Sequence, residues 1–267
     1  MKSNYLNQSF IIVFMAAILF GGCAKDGATG PAGPAGATGV TGPIATGNLF
    51  GYVKKWDQYG SAITTDLSGV SVNLTGGSFN LNTTTDSTGK YSFDNITTGY
   101  YTLKYTDSLF GFNQVNYNLF LGGATVPRAN VNMSKIPNFY MTALAFTDTL
   151  ITNDSSIVVT CTLNASDNNQ RAGILYVGTS AGVSSNPATY LNYYTKNITA
   201  LSTTFKVVIP LSDLYNLGFT PGQTVYFAGY GISLGFNTNS SYEDFVTGRS
   251  VFTAISTTAV TSSHIIP

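Results

Sequence analysis

The stretch 83-TTTDSTGKYSFDNITTGYYTLKYT-106 decides the fold. Asp86 can accept backbone N–H groups in an Asx-type turn, and Gly89 can supply the positive φ that closes it. Tyr91 and Phe93 then recur at a period of two, which places them on one face of a strand. Ile96 plugs the next turn. Gly99 releases the chain into a second strand, with Tyr101, Leu103 and Tyr105 alternating again.

The same grammar extends in both directions. In 69-GVSVNLTG-76, Val70, Val72 and Leu74 alternate with Ser71 and Asn73, so one face is buried and the other wet. Turn signals recur at Asp57–Gly60, Thr75–Gly77, Asp94–Gly99 and Gly122–Gly123. Short strands at this spacing predict an all-β sandwich. Further along, 155-SSIVVTCTL-163 sets Ile157, Val159, Cys161 and Leu163 on one face, so Cys161 reads as a small buried hydrophobe. 172-AGILYVGTS-180 and 203-TTFKVVIPL-211 add strands, and 212-SDLYNLG-218 fits a single helical turn. A Pro-Gly turn at 221–222 leads into Val225, Phe227 and Tyr230, and 247-TGRSVFTAIS-256 is expected to close the sheet.

Several of these segments resemble a known family. Gly51-x-Val53, Asp57-x-x-Gly60, Gly69 to Leu74, Thr85 to Phe93 and Gly99-x-Tyr101 together resemble the carboxypeptidase regulatory-like domain. That resemblance implies a prealbumin-like sandwich related to collagen-binding B-type repeats, an accessory module with no peptidase activity. Some B-type repeats form an internal isopeptide bond, for which Lys54 or Lys55 with Asn130 or Asn132 would be the pair here, although the stretch contains no Glu to act as the buried acid. The Pro-Gly turn and the aromatic strand after it resemble fibronectin type III domains, an Ig-like sandwich.

The amino terminus predicts location. Lys2 precedes an apolar run, Phe10–Phe20, that is too short to span a bilayer and ends in Gly21-Gly22-Cys23, the order of a secretory signal. The segment resembles a bacterial lipobox, with Phe20 where an aliphatic residue is usual; the resemblance implies acylation of Cys23 and anchoring in a membrane. From Gly27 to Gly42 glycine holds every third position, with Pro31, Pro34 and Pro43 favouring an extended backbone. An 18-residue spacer of this kind reaches about 56 Å at roughly 3.1 Å per residue. Six triplets are marginal for a triple helix, so a monomer is expected rather than a trimer. Beginning Cys23, Lys25, Asp26, Gly27, the tether resembles those of Gram-negative surface lipoproteins, and the resemblance implies an outer-membrane location facing outward.

The expected layout is therefore a signal peptide at 1–22, a lipidated cysteine and collagen-like tether at 23–46, and two tandem sandwiches at 47–137 and 138–256. A Ser/Thr-rich tail follows at 257–267.

Composition narrows the chemistry. Charged residues make up 9% of the chain, against about 25% in an average soluble domain, and the formal charge is zero, so no basic face for nucleic acid is expected. One histidine, His264 in the tail, and one glutamate, Glu243, cannot assemble a triad, a zinc site of ordinary ligand count or a glutamate pair. Every aspartate is expected in a turn. The reading is a protein that is not an enzyme, needs no cofactor or metal, and binds an extracellular protein or glycan.

Candidate ligand-binding aromatics are Tyr190, Tyr193 and Tyr194 in 188-ATYLNYYTKN-197, together with Tyr242 and Phe245 in the loop 237–248. The same rings could instead build core, as Trp56 at the end of the first strand is expected to do. Ser87, Ser108 and Thr149 follow Asp86, Asp107 and Asp148 in a pattern resembling a bacterial O-glycosylation acceptor.

Overall fold

The computed structural model describes residues 45–123, 125–127, 130–150, 155–234 and 241–267. The signal segment, Cys23 and the Gly-x-y stretch lie outside them. More than half of the described residues are in strands and one short helix is the only α-helical element among them, giving an all-β, sandwich-like arrangement.

The first sandwich holds β1 (Thr46–Trp56), β2 (Ala62–Ile63), β3 (Ser71–Gly76), β4 (Phe79–Thr84), β5 (Lys90–Thr97), β6 (Gly99–Asp107), β7 (Gly111–Phe120), β8 (Thr125–Pro127) and β9 (Val131–Ser134). In one sheet β1 is central: β5 and β2 pair with it antiparallel, while β8 and β9 pair with it parallel. The other sheet is antiparallel, in the order β4–β3–β6–β7. Leu49, Val53, Tyr91, Phe93 and Met133 from the first sheet meet Val72, Leu74, Tyr101, Leu103 and Tyr105 from the second. Full burial of each aliphatic side chain contributes about 1.5–3 kcal/mol.

The Asp86–Gly89 turn forms as its residues require, whereas the turn expected at Asp94–Gly99 shrinks to Thr98, because β5 continues through Asp94 and the buried Ile96 to Thr97. Asp86 Oδ1 accepts the N–H groups of Thr88 at 2.8 Å and Lys90 at 3.0 Å. The Thr88 hydroxyl, which also donates to it, holds this carboxyl below its ordinary range. Gly89 sits at φ 81°, and a Cβ there would fall 2.3 Å from the Val53 carbonyl oxygen. In the core the Tyr91 and Tyr105 hydroxyls lie 2.7 Å apart, which satisfies both where water is excluded.

At the end of β1 the inward place is taken by Lys55 and not by Trp56, the expected core residue. Lys55 continues the inward set of Leu49 and Val53 and is 6% exposed, whereas Trp56 is half-buried on the outer face. The ammonium is tolerated because Nζ donates to Asp107 Oδ2 at 3.0 Å and to the Ser68 carbonyl at 2.8 Å, over the Phe110 ring. The Trp56 indole N–H donates to Asn132 Oδ1. Lys55 is thus paired with Asp107, and the Asn132 carbonyl oxygen is engaged elsewhere.

The second sandwich comprises β10 (Met141–Thr149), β11 (Ser156–Leu163), β12 (Arg171–Gly178), β13 (Asn192–Ile198), β14 (Thr204–Pro210), α1 (Leu211–Asn216), β15 (Thr224–Ile232), β16 (Ser241–Asp244), β17 (Arg249–Phe252) and β18 (Val260–Ile265). A sheet β10–β11–β14 faces a sheet β13–β12–β15–β18, and β16–β17 is a separate hairpin. Between the sheets lie Ile157, Val159, Cys161, Phe205, Val207, Leu175, Val177, Val225 and Phe227. Burial pushes the Cys161 thiol up to about 12, so it is an inert core residue. The helix ends in a Schellman motif: Gly218 at φ 93°, with Phe219 N–H donating to the Leu214 carbonyl and Gly218 N–H to that of Tyr215.

Three features depart from the sequence reading. All eight residues of β12 are buried, because its far face, with Ile174 and Tyr176, packs under Val183, Tyr190, Tyr230 and Phe252 in a second core. Residues 249–252 pair only with β16, and the sheet is closed by Val260–Ile265 against β15. The segment expected as a tail is therefore part of the sheet. His264 within it stacks on Phe146 and lies 2.7 Å from Asp148 Oδ1, tying the edges of the two facing sheets together.

The described residues belong to one compact unit, and the turn after β1 joins the two sandwiches. Gln58 Oε1 accepts the Asn138 N–H at 2.8 Å, its carbonyl accepts the Leu234 N–H, and the Tyr59 hydroxyl donates to Asp167 Oδ2 at 2.6 Å.

Candidate functional site

The aromatics singled out in 188–197 do not form one platform. Tyr190 is 1% exposed, with its hydroxyl donating to the Ser250 carbonyl and its ring 4.9 Å from that of Tyr176. Burial pushes its phenol up to about 12. Tyr193 is half-buried against Phe252, while its neighbour Tyr194 faces the opposite side of the sheet, packs on the inter-sheet core and donates to Asp213 Oδ2. Alternation along β13 makes a shared face for the two impossible. Tyr190 is therefore a core residue, contrary to its reading as a ligand contact.

Tyr242 has a different neighbourhood. It lies on β16, its ring 5.7 Å from Phe112 of β7, across the boundary between the sandwiches. Phe245, two residues beyond the strand's Glu243, is 59% exposed in the β16–β17 turn.

Beside Phe112 lies an open groove of about 810 Å³, lined by Gly69, Ser71, Thr106, Asp107, Ser108, Gly111 and Phe112. Local rules build it. Asp107 Oδ1 accepts the Leu109 N–H at 2.9 Å and starts the tight β6–β7 turn, while Lys55 clamps Oδ2 from beneath. Gly111 closes the turn at φ 69°, and a Cβ there would lie 2.8 Å from the Thr253 carbonyl oxygen. The groove thus offers a ring, three hydroxyls and a carboxylate fixed by its own partners. Lys104 Nζ lies 5.6 Å from the Phe112 ring centroid. These groups can stack on and hydrogen-bond a polar ligand. A smaller hollow of about 270 Å³ lies by Tyr226, Ala181, Thr261 and Ser263.

Turn duty accounts for most aspartates. Asp57, Asp66, Asp86, Asp107, Asp167 and Asp244 each accept the backbone N–H two residues on. Asp94, Asp148 and Asp213 depart from that expectation, lying on β5, β10 and α1. Among the described residues no group of three or more His, Cys, Asp or Glu could hold a metal ion. Ser87 and Ser108 are exposed in the turns headed by Asp86 and Asp107, and Thr149 is half-buried at the end of β10.

Of the predicted residues, then, Ser108 lines the larger groove and Tyr242 packs against its Phe112 wall. Phe112, Ser71 and Thr106 were not singled out in the sequence. The alternation of Ser71 and Asn73 against Val70, Val72 and Leu74 was the signal for the outward face, but the sequence does not say which strands lie beside it.

No family model and no curated protein matches the chain. Solved structures similar to it include a candidate carbohydrate binding protein from Bacteroides uniformis, 14% identical over 82% of this chain and 99% of its own, with a TM-score of 0.27. A DUF3823 family protein from Parabacteroides merdae is 12% identical over 80% of this chain and 98% of its own, with a TM-score of 0.26. A streptococcal ancillary pilin is 13% identical over 84% and 60%, with a TM-score of 0.23. At scores this low the reading of the site depends on its own geometry.

Proposed function

We propose that this is a noncatalytic envelope protein, anchored in the outer membrane through acylated Cys23 and displayed on the cell surface, whose paired sandwiches present a ligand-binding groove for adhesion. One observation carries the binding part: the groove beside Phe112 joins an aromatic ring to oriented hydroxyl and carboxylate oxygens, with no acid, base and nucleophile arranged for chemistry among the described residues. The anchoring part rests on the lipobox-like Phe20-Gly21-Gly22-Cys23 and the Gly-x-y spacer after it. The near-absence of charge speaks against nucleic acid as a partner.

Two measurements test this reading. Protease shaving of intact cells removes the protein if it faces outward, and Cys23→Ser releases it from the membrane fraction. Protection from protease would favour a periplasmic scaffold instead. Cells carrying Phe112→Ala are expected to adhere less to mucin-coated plates than wild-type cells at equal surface amounts; equal adherence would remove the groove from the account.

A further inference from the structure

The groove opens at one end of a flat sheet face whose chemistry is unusually uniform. Across β4–β3–β6–β7 the outward residues align by register. Thr84, Ser71, Thr106 and Phe112 form one row. Asn82, Asn73, Lys104 and Gln114 form the next, and Asn80, Thr75 and Thr102 the third. Apart from Phe112 and Lys104, every outward group in these rows is a side-chain amide or hydroxyl.

The amides are held in place. Asn73 Nδ2 lies 2.9 Å from Asn80 Oδ1 and 3.0 Å from Asn82 Oδ1, and its two N–H groups are shared between these oxygens and the Leu81 carbonyl. On the far side of the sheet Gln114 Nε2 donates to Asn116 Oδ1. The inward bonds use the acceptor oxygens of Asn80 and Asn82 and leave their N–H donors for a ligand. Such pre-orientation lowers the ordering cost of binding. The outer face of β10–β11–β14 differs: Val158 and Val208 stand among its hydroxyl and Lys206 side chains, and it carries no amide.

We propose that this face binds a neutral polysaccharide, laid across the strands with one end in the groove beside Phe112. The inference rests on the reading of that groove as a ligand site and names its ligand class. Charge and chemistry select the occupant. One ammonium, already over an aromatic ring, gives no field for a polyanion. A protein partner would want an apolar, aromatic interface centre, whereas the exposed apolar side chains of this face, Tyr100 and Leu119, pair with each other beyond the third row and leave the centre polar. A hydroxyl-rich polymer supplies both donors and acceptors to match. Adjacent strands lie about 4.7–4.9 Å apart, close to one pyranose along a chain, so successive sugars can meet successive strands. Phe112 at the corner offers a ring for stacking.

The test uses the purified full chain carrying Cys23→Ser in native affinity gels containing laminarin, xylan or galactomannan, with polygalacturonate as the anionic control. At least one neutral polymer should retard the protein, and polygalacturonate should not. Asn73→Ala and Asn82→Ala, both at outward positions, should each weaken association about fivefold, the equivalent of one lost hydrogen bond. Near-UV circular dichroism confirms that the variants keep their packing, and Thr84→Ala supplies a second substitution on the edge strand. No retardation by any neutral polymer overturns the inference, as does binding that all three variants leave unchanged. If the neutral polymers fail while Phe112→Ala still reduces cell adherence, the groove reading stands and the ligand class falls. If Phe112→Ala changes neither, both fall.

Discussion

In the first sandwich Tyr91, Phe93, Tyr101, Tyr105 and Phe120 fill the space between two sheets, and the centre of the outer face of β4–β3–β6–β7 is left to amides, hydroxyls and Lys104, with Phe112 at one end and Tyr100 and Leu119 at the other. In the second, a further set, Tyr176, Tyr190, Tyr230 and Phe252, builds another core on the far side of β12. Both regions are rich in tyrosine, yet only one leaves a flat polar surface beside an aromatic ring. An abundance of aromatics is therefore a poor guide to a binding site in a sandwich. What matters is whether a loop or hairpin folds back over the outer face, as residues 179–191 and β16–β17 do in the second.

The sharpest way to break this comparison is to cut into both cores. Leu175→Ala and Leu74→Ala should each cost about 2–5 kcal/mol in chemical denaturation. Leu175 should lie nearer the top, because β12 is packed on both faces and its surroundings cannot collapse into the space. Equal costs would mean that the second core adds nothing to the rigidity of that strand.

Next in size is the ion pair under the groove. Asp107→Ala leaves Lys55 buried without its carboxylate and should lower stability by about 3 kcal/mol, with Lys55→Met in the same chain restoring most of it. A melt unchanged by Asp107→Ala would show that the Ser68 carbonyl alone satisfies the ammonium.

Alkaline titration tests the packing of two phenols of the second sandwich. Burial raises Tyr190 and Tyr194 to about 12 in the folded protein, against an ordinary value of about 10. The folded state therefore holds protons that the unfolded chain releases. This stabilisation is complete below about pH 10 and is lost as pH rises through about 12. Phenolate absorbance from Tyr190 and Tyr194 should lag until unfolding, which shows as a loss of the late phase in Tyr190→Phe and in Tyr194→Phe; titration of both near pH 10 would contradict burial of these rings.

The smallest effects have opposite signs. Tyr190→Phe removes a hydrogen bond to the Ser250 carbonyl and should cost about 1 kcal/mol, whereas the Tyr176 hydroxyl is buried without a hydrogen-bond partner among the described residues, so Tyr176→Phe should be neutral or stabilise by up to about 1 kcal/mol. Loss of stability in Tyr176→Phe would point to a partner for that hydroxyl.

Much of this architecture was legible as local chemistry. The Asp86–Gly89 turn, the alternation in β3, β5 and β6, the burial of Cys161 and the helical turn ending at Gly218 all follow from residue type and spacing. The exceptions arise where long-range pairing overrides local pattern. The run 172-AGILYVG-178 has no visible alternation because both of its faces are buried. Lys55 is inward because a distant Asp107 neutralises it, and residues 260–265 carry Ser and Thr that look like tail until β15 pairs with them. The candidate site was hidden for the same reason: its rows run across four strands, so no contiguous stretch displays them. The lipid anchor and tether remain readings of residues 1–44.

The parallel pairing of β1 with β9 has a mechanical consequence. The chain enters the first sandwich at the start of β1 and leaves it from the end of β9, with Val53–Trp56 hydrogen-bonded to Val131–Ser134 in the same direction. Tension between those two ends pulls the strands past each other along their common axis. The ladder is then loaded in shear, so its bonds share the force and must fail together, instead of opening one after another like a zip.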